Sequence, residues 1–348
     1  MHYSKILALG LAVTAAHVTA ATGTLQHCKA IADAKARLAC YDSIDHAGGG
    51  VTAPELSVEA VEKSSSEPRP SPIADINQSA PSALGDQWEL DQKKGTFALR
   101  TYKTNYFLPL SYSDNRNQHP SSSASTGEQL PLAPGIGAVN DAEAKFQLSF
   151  KVKALESIFS DRADLWLAYT QKSYWQLYNS DYSAPFRETN YEPEAILSIR
   201  TDLDLGFIKW RFLNLGLAHQ SNGRSNPLSR SWNRAYADFG FEKNNFSLEI
   251  RPWYRFKEQD GTDDNPDLLD FMGHGDVTAR YRFDSGQELS ALVRQNFRTG
   301  NGGVQLDWTY PLTGNLKAYV QVFSGYGDNL LDYNRRQNVL GFGIAISP

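Results

Sequence analysis

The chain has 348 residues and a formal net charge of −5 at pH 7, with no dense Lys/Arg tract, which argues against nucleic acid as a partner. Its mean hydropathy of −0.46 is polar, and beyond the N-terminus no run approaches the roughly 18 apolar residues of a spanning helix. Yet 12% of the residues are aromatic, with 17 Tyr, 17 Phe and 7 Trp. A transmembrane barrel reconciles the two, because its lumen side is polar, its lipid side apolar and its rims aromatic.

At the N-terminus, Lys5 precedes an apolar core from Ile6 to Ala16 and small residues at Thr19-Ala20-Ala21. This is the pattern of a secretory signal peptide over 1–20, cut near Ala20. Residues 21–47 place Ile31, Ala34 and Leu38 at helical spacing and hold both cysteines, Cys28 and Cys40. In an oxidising compartment a disulfide is the default for such a pair. It would require a bend, because on one continuous helix the separation from Cys28 to Cys40 corresponds to about 18 Å. Residues 48–87 turn to Ser, Pro, Glu and Gly, the composition of a disordered linker. The folded domain is expected over 88–348.

Within that domain, period-two segments recur at about 97–110, 144–153, 164–178, 193–203, 206–221, 232–243, 246–256, 271–283, 288–298, 303–312, 316–325 and 338–347. These predict an all-β, twelve-stranded antiparallel barrel, an even number as single-chain bacterial barrels take. Connections after even-numbered strands are mostly short, such as Lys243-Asn244-Asn245 and Leu312-Thr313-Gly314-Asn315. Those after odd-numbered strands are usually long and polar, including Ser111 to Ala142, Asn179 to Glu192, Asn222 to Ser231, Lys257 to Asp270 and Tyr326 to Gln337. Short periplasmic turns opposite long outer loops are the asymmetry of an outer-membrane barrel.

The most informative stretch runs from His219 to Arg234. His219 and Ser221 continue the register of Leu213, Leu215 and Leu217, so a possible base and a possible nucleophile lie on the apolar face at the end of the fifth strand. Asn233 opens the sixth strand, in register with Ala235, Ala237, Phe239 and Phe241. An Asn there can hold the second ring nitrogen of the histidine, giving nucleophile, base and orienting group. The parity of the loops puts the three at the extracellular rim. Of the seven histidines, only His219 and His274 fall in predicted strands, and His274 has no Ser or Cys within two residues. His-x-Ser on a strand also has an ordinary structural reading.

The loop after Ser221 offers oxygen donors in Ser225, Asn226, Ser229 and the carbonyls around Gly223 and Arg224, and the loop from Asp263 to Asp267 adds carboxylates. Oxygen-only ligation suits calcium better than zinc. Gln171 shares a face with Leu165, Leu167 and Tyr169. An amide on a lipid-facing stripe needs a partner, which a second copy of the barrel could supply.

Further motifs join these: Tyr-Thr-Gln-Lys-Ser from Tyr169, Pro-Phe-Arg-Glu-Thr-Asn-Tyr-Glu-Pro from Pro185, Arg-Pro-Trp-Tyr from Arg251, Thr262 to Asp267, and Ser-Gly-Tyr-Gly from Ser324. Together with His219 to Arg234 they resemble the outer-membrane phospholipase A family of Gram-negative bacteria, from about Gly95 onward. The resemblance implies a calcium-dependent hydrolase of acyl esters in phospholipids and lysophospholipids, at either glycerol position (A1 and A2 activity). It implies Ser221 as nucleophile, His219 as base and Asn233 as orienting group. Calcium would be held by the Arg224 carbonyl and Ser229, together with Ser183 of the partner subunit, in a homodimer whose formation switches activity on. Gln171 would lie at the dimer interface. A second, monomer-state calcium site would involve Asp264, and here the chain departs from the family by carrying Asn226 where members can have Asp. The alternative is a noncatalytic outer-membrane channel or adhesin. A channel would put its polar chemistry in the lumen, whereas His219, Ser221 and Asn233 share the lipid-facing register.

Overall fold

Strands that alternate apolar and polar side chains can satisfy lipid on one face and a packed polar interior on the other only if no edge is left open. This chain closes. The computed structural model describes residues 31, 33, 82–124, 138–259 and 261–346. The strands are β1 (Leu99–Thr101), β2 (Asn105–Ser113), β3 (Ala142–Ser157), β4 (Ala163–Trp175), β5 (Phe186–Asp204), β6 (Lys209–Ser221), β7 (Ser231–Lys243), β8 (Phe246–Arg255), β9 (Gly275–Arg282), β10 (Glu288–Gln295), β11 (Gly302–Thr313), β12 (Leu316–Gly325) and β13 (Gln337–Ile346). From β2 to β13 each strand pairs antiparallel with the next, and β13 returns to β2. β1 lies on the same partner as β2, with Leu99 opposite Val152 and Tyr106 opposite Gln147. It is the first barrel strand interrupted at 102–104, so the closed barrel has the expected twelve strands.

The outer face carries the exposed apolar side chains, among them Leu148, Leu167, Leu215, Leu217, Val277, Leu306 and Val322. The inner face is polar and filled. Lys103 pairs with Glu192 at 2.7 Å, Arg234 with Glu192 at 2.9 Å, and Arg251 with Asp276 at 2.8 Å. A cavity of about 220 Å³ remains among these groups. Two glycines make room for lumen aromatics: a Cβ on Gly216 would meet the Tyr236 ring at 2.1 Å, and one on Gly240 the Phe212 ring at 2.2 Å.

The short-turn end is stoppered by helix α1 (Ala83–Trp88), whose Ser82 caps the Gly85 N–H at 2.8 Å and also bonds Glu242. Trp88 packs against Tyr102, Trp166 and Phe212, with the Lys151 ammonium 3.3 Å from the centre of its ring. Glu89 then pairs with Arg100 and Lys153 at 2.7 and 2.9 Å. The expected domain boundary at Trp88 thus falls inside an ordered element. The linker composition ends earlier in effect, because Leu84 and Trp88 find apolar partners that only the closed barrel assembles. Two further short helices are α2 (Ile158–Asp161), which turns β3 into β4, and α3 (Leu268–Met272), in the long loop after β8.

At the long-loop end a buried charge cluster replaces the apolar packing. Arg187 binds Glu143 at 2.9 Å and Asp332 at 2.6 Å, and Arg116 adds a second pairing to Glu143 at 2.7 Å. This explains one difference from expectation: residues 186–192, read as loop, are the start of β5. Their inward side chains Arg187, Glu188 and Asn190 are polar because they face loops, so the apolar alternation that marks a strand is missing. Likewise Phe271 and Met272, read as strand, belong to α3. The signal peptide, Cys28 and Cys40 lie outside the described residues.

Candidate active site

The last residues of β6 pair without a break with the first residues of β7, with His219 opposite Asn233 and Ser221 opposite Ser231. Partners in an antiparallel ladder point to the same face. The imidazole and the amide meet there: His219 Nδ1 and Asn233 Oδ1 are 2.8 Å apart. An amide oxygen can only accept, so Nδ1 carries the proton and Nε2 presents a lone pair. Ser221 lies two residues along on the same outward face, and no hydrogen bond joins it to His219. Its cross-strand neighbour on the other side is Tyr191, which in turn pairs with Gln171 on β4. One row across the outer wall therefore reads Gln171, Tyr191, Ser221, Ser231.

Gln171 is not isolated. The Tyr169 hydroxyl donates to its Oε1 at 3.2 Å, and its Nε2 donates to Ser173 Oγ at 3.1 Å. Thr189 Oγ1 reaches the same Ser173 oxygen at 3.2 Å. Four polar side chains thus form a chain on an otherwise apolar wall. Ser173 shares the face of Gln171 in the sequence as well, but its bond to Thr189 escaped the sequence reading, because the signal for that is cross-strand pairing rather than spacing.

Loop 222–230 joins β6 to β7 above the pair. Ser229 Oγ donates to Asp264 Oδ2 at 2.5 Å. Arg224 is tied down by its side chain, which bonds the Arg187 carbonyl and lies 3.3 Å from Glu188. Ser229 and Asp264 are therefore in contact, while Arg224, in the same loop, is tied to β5. Ser183 is elsewhere: it is exposed at the end of the 3-10 turn Ser180–Tyr182, its N–H bonded to the Ser180 carbonyl at 3.2 Å. No hydrogen bond links it to Arg224 or Ser229. Among the described residues no group of three His, Cys, Asp or Glu side chains converges, so the donors here are hydroxyl, carbonyl and a carboxylate. That set fits a hard divalent cation such as calcium and not a nitrogen- or sulfur-seeking metal. The acidic loop after β8 reaches the same place. Burial pushes the Glu258 carboxyl above its ordinary value and Asp263 and Asp264 add to this, while Arg255 and His219 oppose it.

With this geometry in hand, the comparisons with known proteins are decisive. The family model for phospholipase A1 matches residues 84–346. The chain belongs to the phospholipase A1 family. Phospholipase A1 of Escherichia coli K12 is 39% identical over 258 residues, covering 74% of this chain and 84% of the relative. A protein of Neisseria meningitidis serogroup B is 37% identical over 351 residues, covering 93% of this chain and 91% of the relative. Among solved structures, outer membrane phospholipase A from Escherichia coli superposes with a TM-score of 0.65 at 38% identity, over 74% of this chain and 95% of that one. The Salmonella typhi outer membrane phospholipase dimer with bound calcium gives a TM-score of 0.65 at 37% identity, over 73% and 94%. Membership makes this phospholipase a member of the outer-membrane barrel class and sets aside the noncatalytic channel or adhesin.

Proposed function

We propose that the chain is a calcium-dependent phospholipase of the outer membrane, cleaving acyl esters of phospholipids and lysophospholipids (A1 and A2 activity) at a Ser221–His219–Asn233 triad facing the outer leaflet. The observation that carries this reading is the 2.8 Å contact of His219 Nδ1 with Asn233 Oδ1 on the outward wall, two ladder positions from Ser221. An active-site mutant of the Escherichia coli enzyme replaces an asparagine with alanine, which supports an amide in the orienting role.

In this mechanism Ser221 Oγ attacks the ester carbonyl while His219 Nε2 takes its proton. The imidazolium then protonates the departing glycerol oxygen, and an acyl-serine remains. Water, deprotonated by the same nitrogen, releases the fatty acid and restores Ser221. Asn233 keeps the imidazole in the tautomer that leaves Nε2 free. It does so without placing a carboxylate beside lipid, where desolvation would penalise the charge. A second, monomer-state position would involve Asp264, where Asn226 departs from the family's Asp; at the active site the Arg224 carbonyl and Ser229, with Ser183 of the partner subunit, would hold calcium. Bound there, calcium would polarise the ester carbonyl.

No hydrogen bond joins Ser183 to Arg224 or Ser229 within one chain, which is compatible with a site completed by a homodimer. Gln171, in the same row as Ser221, would mark the contact between the two barrels. Fatty-acid release from phospholipid micelles, with calcium or with chelator, tests the assignment. The parent should release fatty acid only with calcium, and Ser221→Ala should not. Equal release by both proteins, where the parent is dimeric, would sink it.

A further inference from the structure

Asn222 follows the nucleophile directly and is buried, yet it takes no part in the chemistry just described. Its carbonyl oxygen accepts the Arg230 N–H at 2.9 Å and the Arg224 N–H at 3.3 Å. Its amide nitrogen donates to the Leu228 carbonyl at 2.9 Å and lies 3.4 Å from Glu188 Oε2. Its own backbone N–H closes the loop on the Arg230 carbonyl at 3.0 Å. One side chain therefore grips three peptide groups of the loop: the one leading into Arg224, and the two that flank Ser229. Those are the two positions proposed above as ligands from this chain. The Arg224 side chain anchors the same residue to Arg187 and Glu188 on β5, so the residue that carries the carbonyl is held through both its backbone N–H and its side chain.

We infer that Asn222 is a positioning residue for the calcium site: it sets the direction of the Arg224 carbonyl and the Ser229 hydroxyl before any metal arrives. The inference rests on the calcium reading above and deepens it. A carboxamide is the side chain for this task, because it must accept from two N–H groups and donate to a carbonyl at once. Partners that orient metal ligands typically contribute about 10–100-fold in affinity, with the gain coming from a site already shaped before binding.

The test compares the full chain in detergent micelles with its Asn222→Ala and Asn222→Asp variants, using calcium alone as the probe. Equilibrium dialysis reads affinity, and amide hydrogen exchange without calcium reads the loop. Asn222→Ala should bind calcium about 10–100-fold more weakly and exchange the Arg224 and Arg230 amides faster, while its barrel strands exchange as in the parent. Asn222→Asp keeps both acceptors and loses the donor to Leu228. It should leave the two amides protected and bind calcium with an intermediate loss, and it carries the test should Asn222→Ala fail to fold. A merely structural role would lower stability without moving calcium affinity. Parent-like affinity in the folded variants therefore overturns the inference alone. No calcium uptake by the parent overturns the metal reading, and this inference with it.

Discussion

In the proposed triad Asn233 would stand where most serine hydrolases carry a carboxylate, and its location supplies a reason. His219 and Asn233 both face outward from strands whose neighbouring outward residues, Leu215 and Leu217, are exposed to the apolar exterior. Asn233→Ala should leave the imidazole free to rotate and lower kcat by about 10²–10⁴-fold, the range a positioned acid–base group supplies, with KM little changed. Ser221→Ala removes the attacking atom and should cost more, on the order of 10⁶-fold in kcat as in other serine hydrolases. Asn233→Asp probes the argument about charge. At neutral pH it should be no more active than the parent, and a large gain in kcat would show that desolvation is not what selects the amide.

The elements divide into those that local pattern specifies and those that closure creates. β6 and β7 are legible in the sequence because Leu213, Leu215 and Leu217, or Ala235, Ala237 and Phe239, share one register while Asn214 and Gln220, or Arg234 and Asp238, take the other. The placement of His219, Ser221 and Asn233 on one face follows from that alternation alone. α1 is not legible. Leu84 and Trp88 sit in a short polar-flanked segment, and the Trp88 partners Tyr102, Trp166 and Phe212 come from the break between β1 and β2, from β4 and from β6. Nor could spacing reveal Asn222, whose role depends on the path of a folded loop. Trp88→Ala should therefore open a cavity in a tightly packed stopper and cost about 3–5 kcal/mol, measurable as a lowered urea midpoint. The loop cap makes a separate prediction. Burial pushes the Asp328 carboxyl up, but Lys145 at 2.7 Å and the nearby Lys172 outweigh it and bring it from 3.8 down to about 2. A carboxyl depressed on folding stabilises fully above its unfolded value and loses that contribution as pH falls through the folded one. Protease cleavage of the 326–336 loop should accordingly stay slow at pH 5 and rise between about pH 4 and 2. Lys145→Met should respond less to pH across that window.

At the scale of the whole molecule, the proposed nucleophile and base and the proposed ligands Arg224 and Ser229 belong to one barrel, and no hydrogen bond joins Ser183 to those ligands. The lumen offers no route for substrate, since ion pairs cross it and α1 fills one end. With Ser221 as the proposed nucleophile, lipid would reach it from the outer wall, the same wall that Gln171 shares and that a second barrel would cover. Two copies related by a twofold axis would exchange identical contributions, each lending Ser183 to the Arg224 and Ser229 of the other. This makes a quantitative prediction. Ser183→Ala and Ser229→Ala should each be nearly inactive alone, because every site in either homodimer lacks one ligand. Mixed after separate purification and allowed to exchange, half of the dimers contain one of each chain. In such a dimer one site has lost both residues and the other has both, so the mixture should recover about one quarter of parental activity, by the symmetry of the assembly. If the residues acted within one chain, no pairing could restore a site and the mixture would show only the average of the two variants. Fatty-acid release by the mixture thus distinguishes a site completed across the dimer from one that a single barrel already contains.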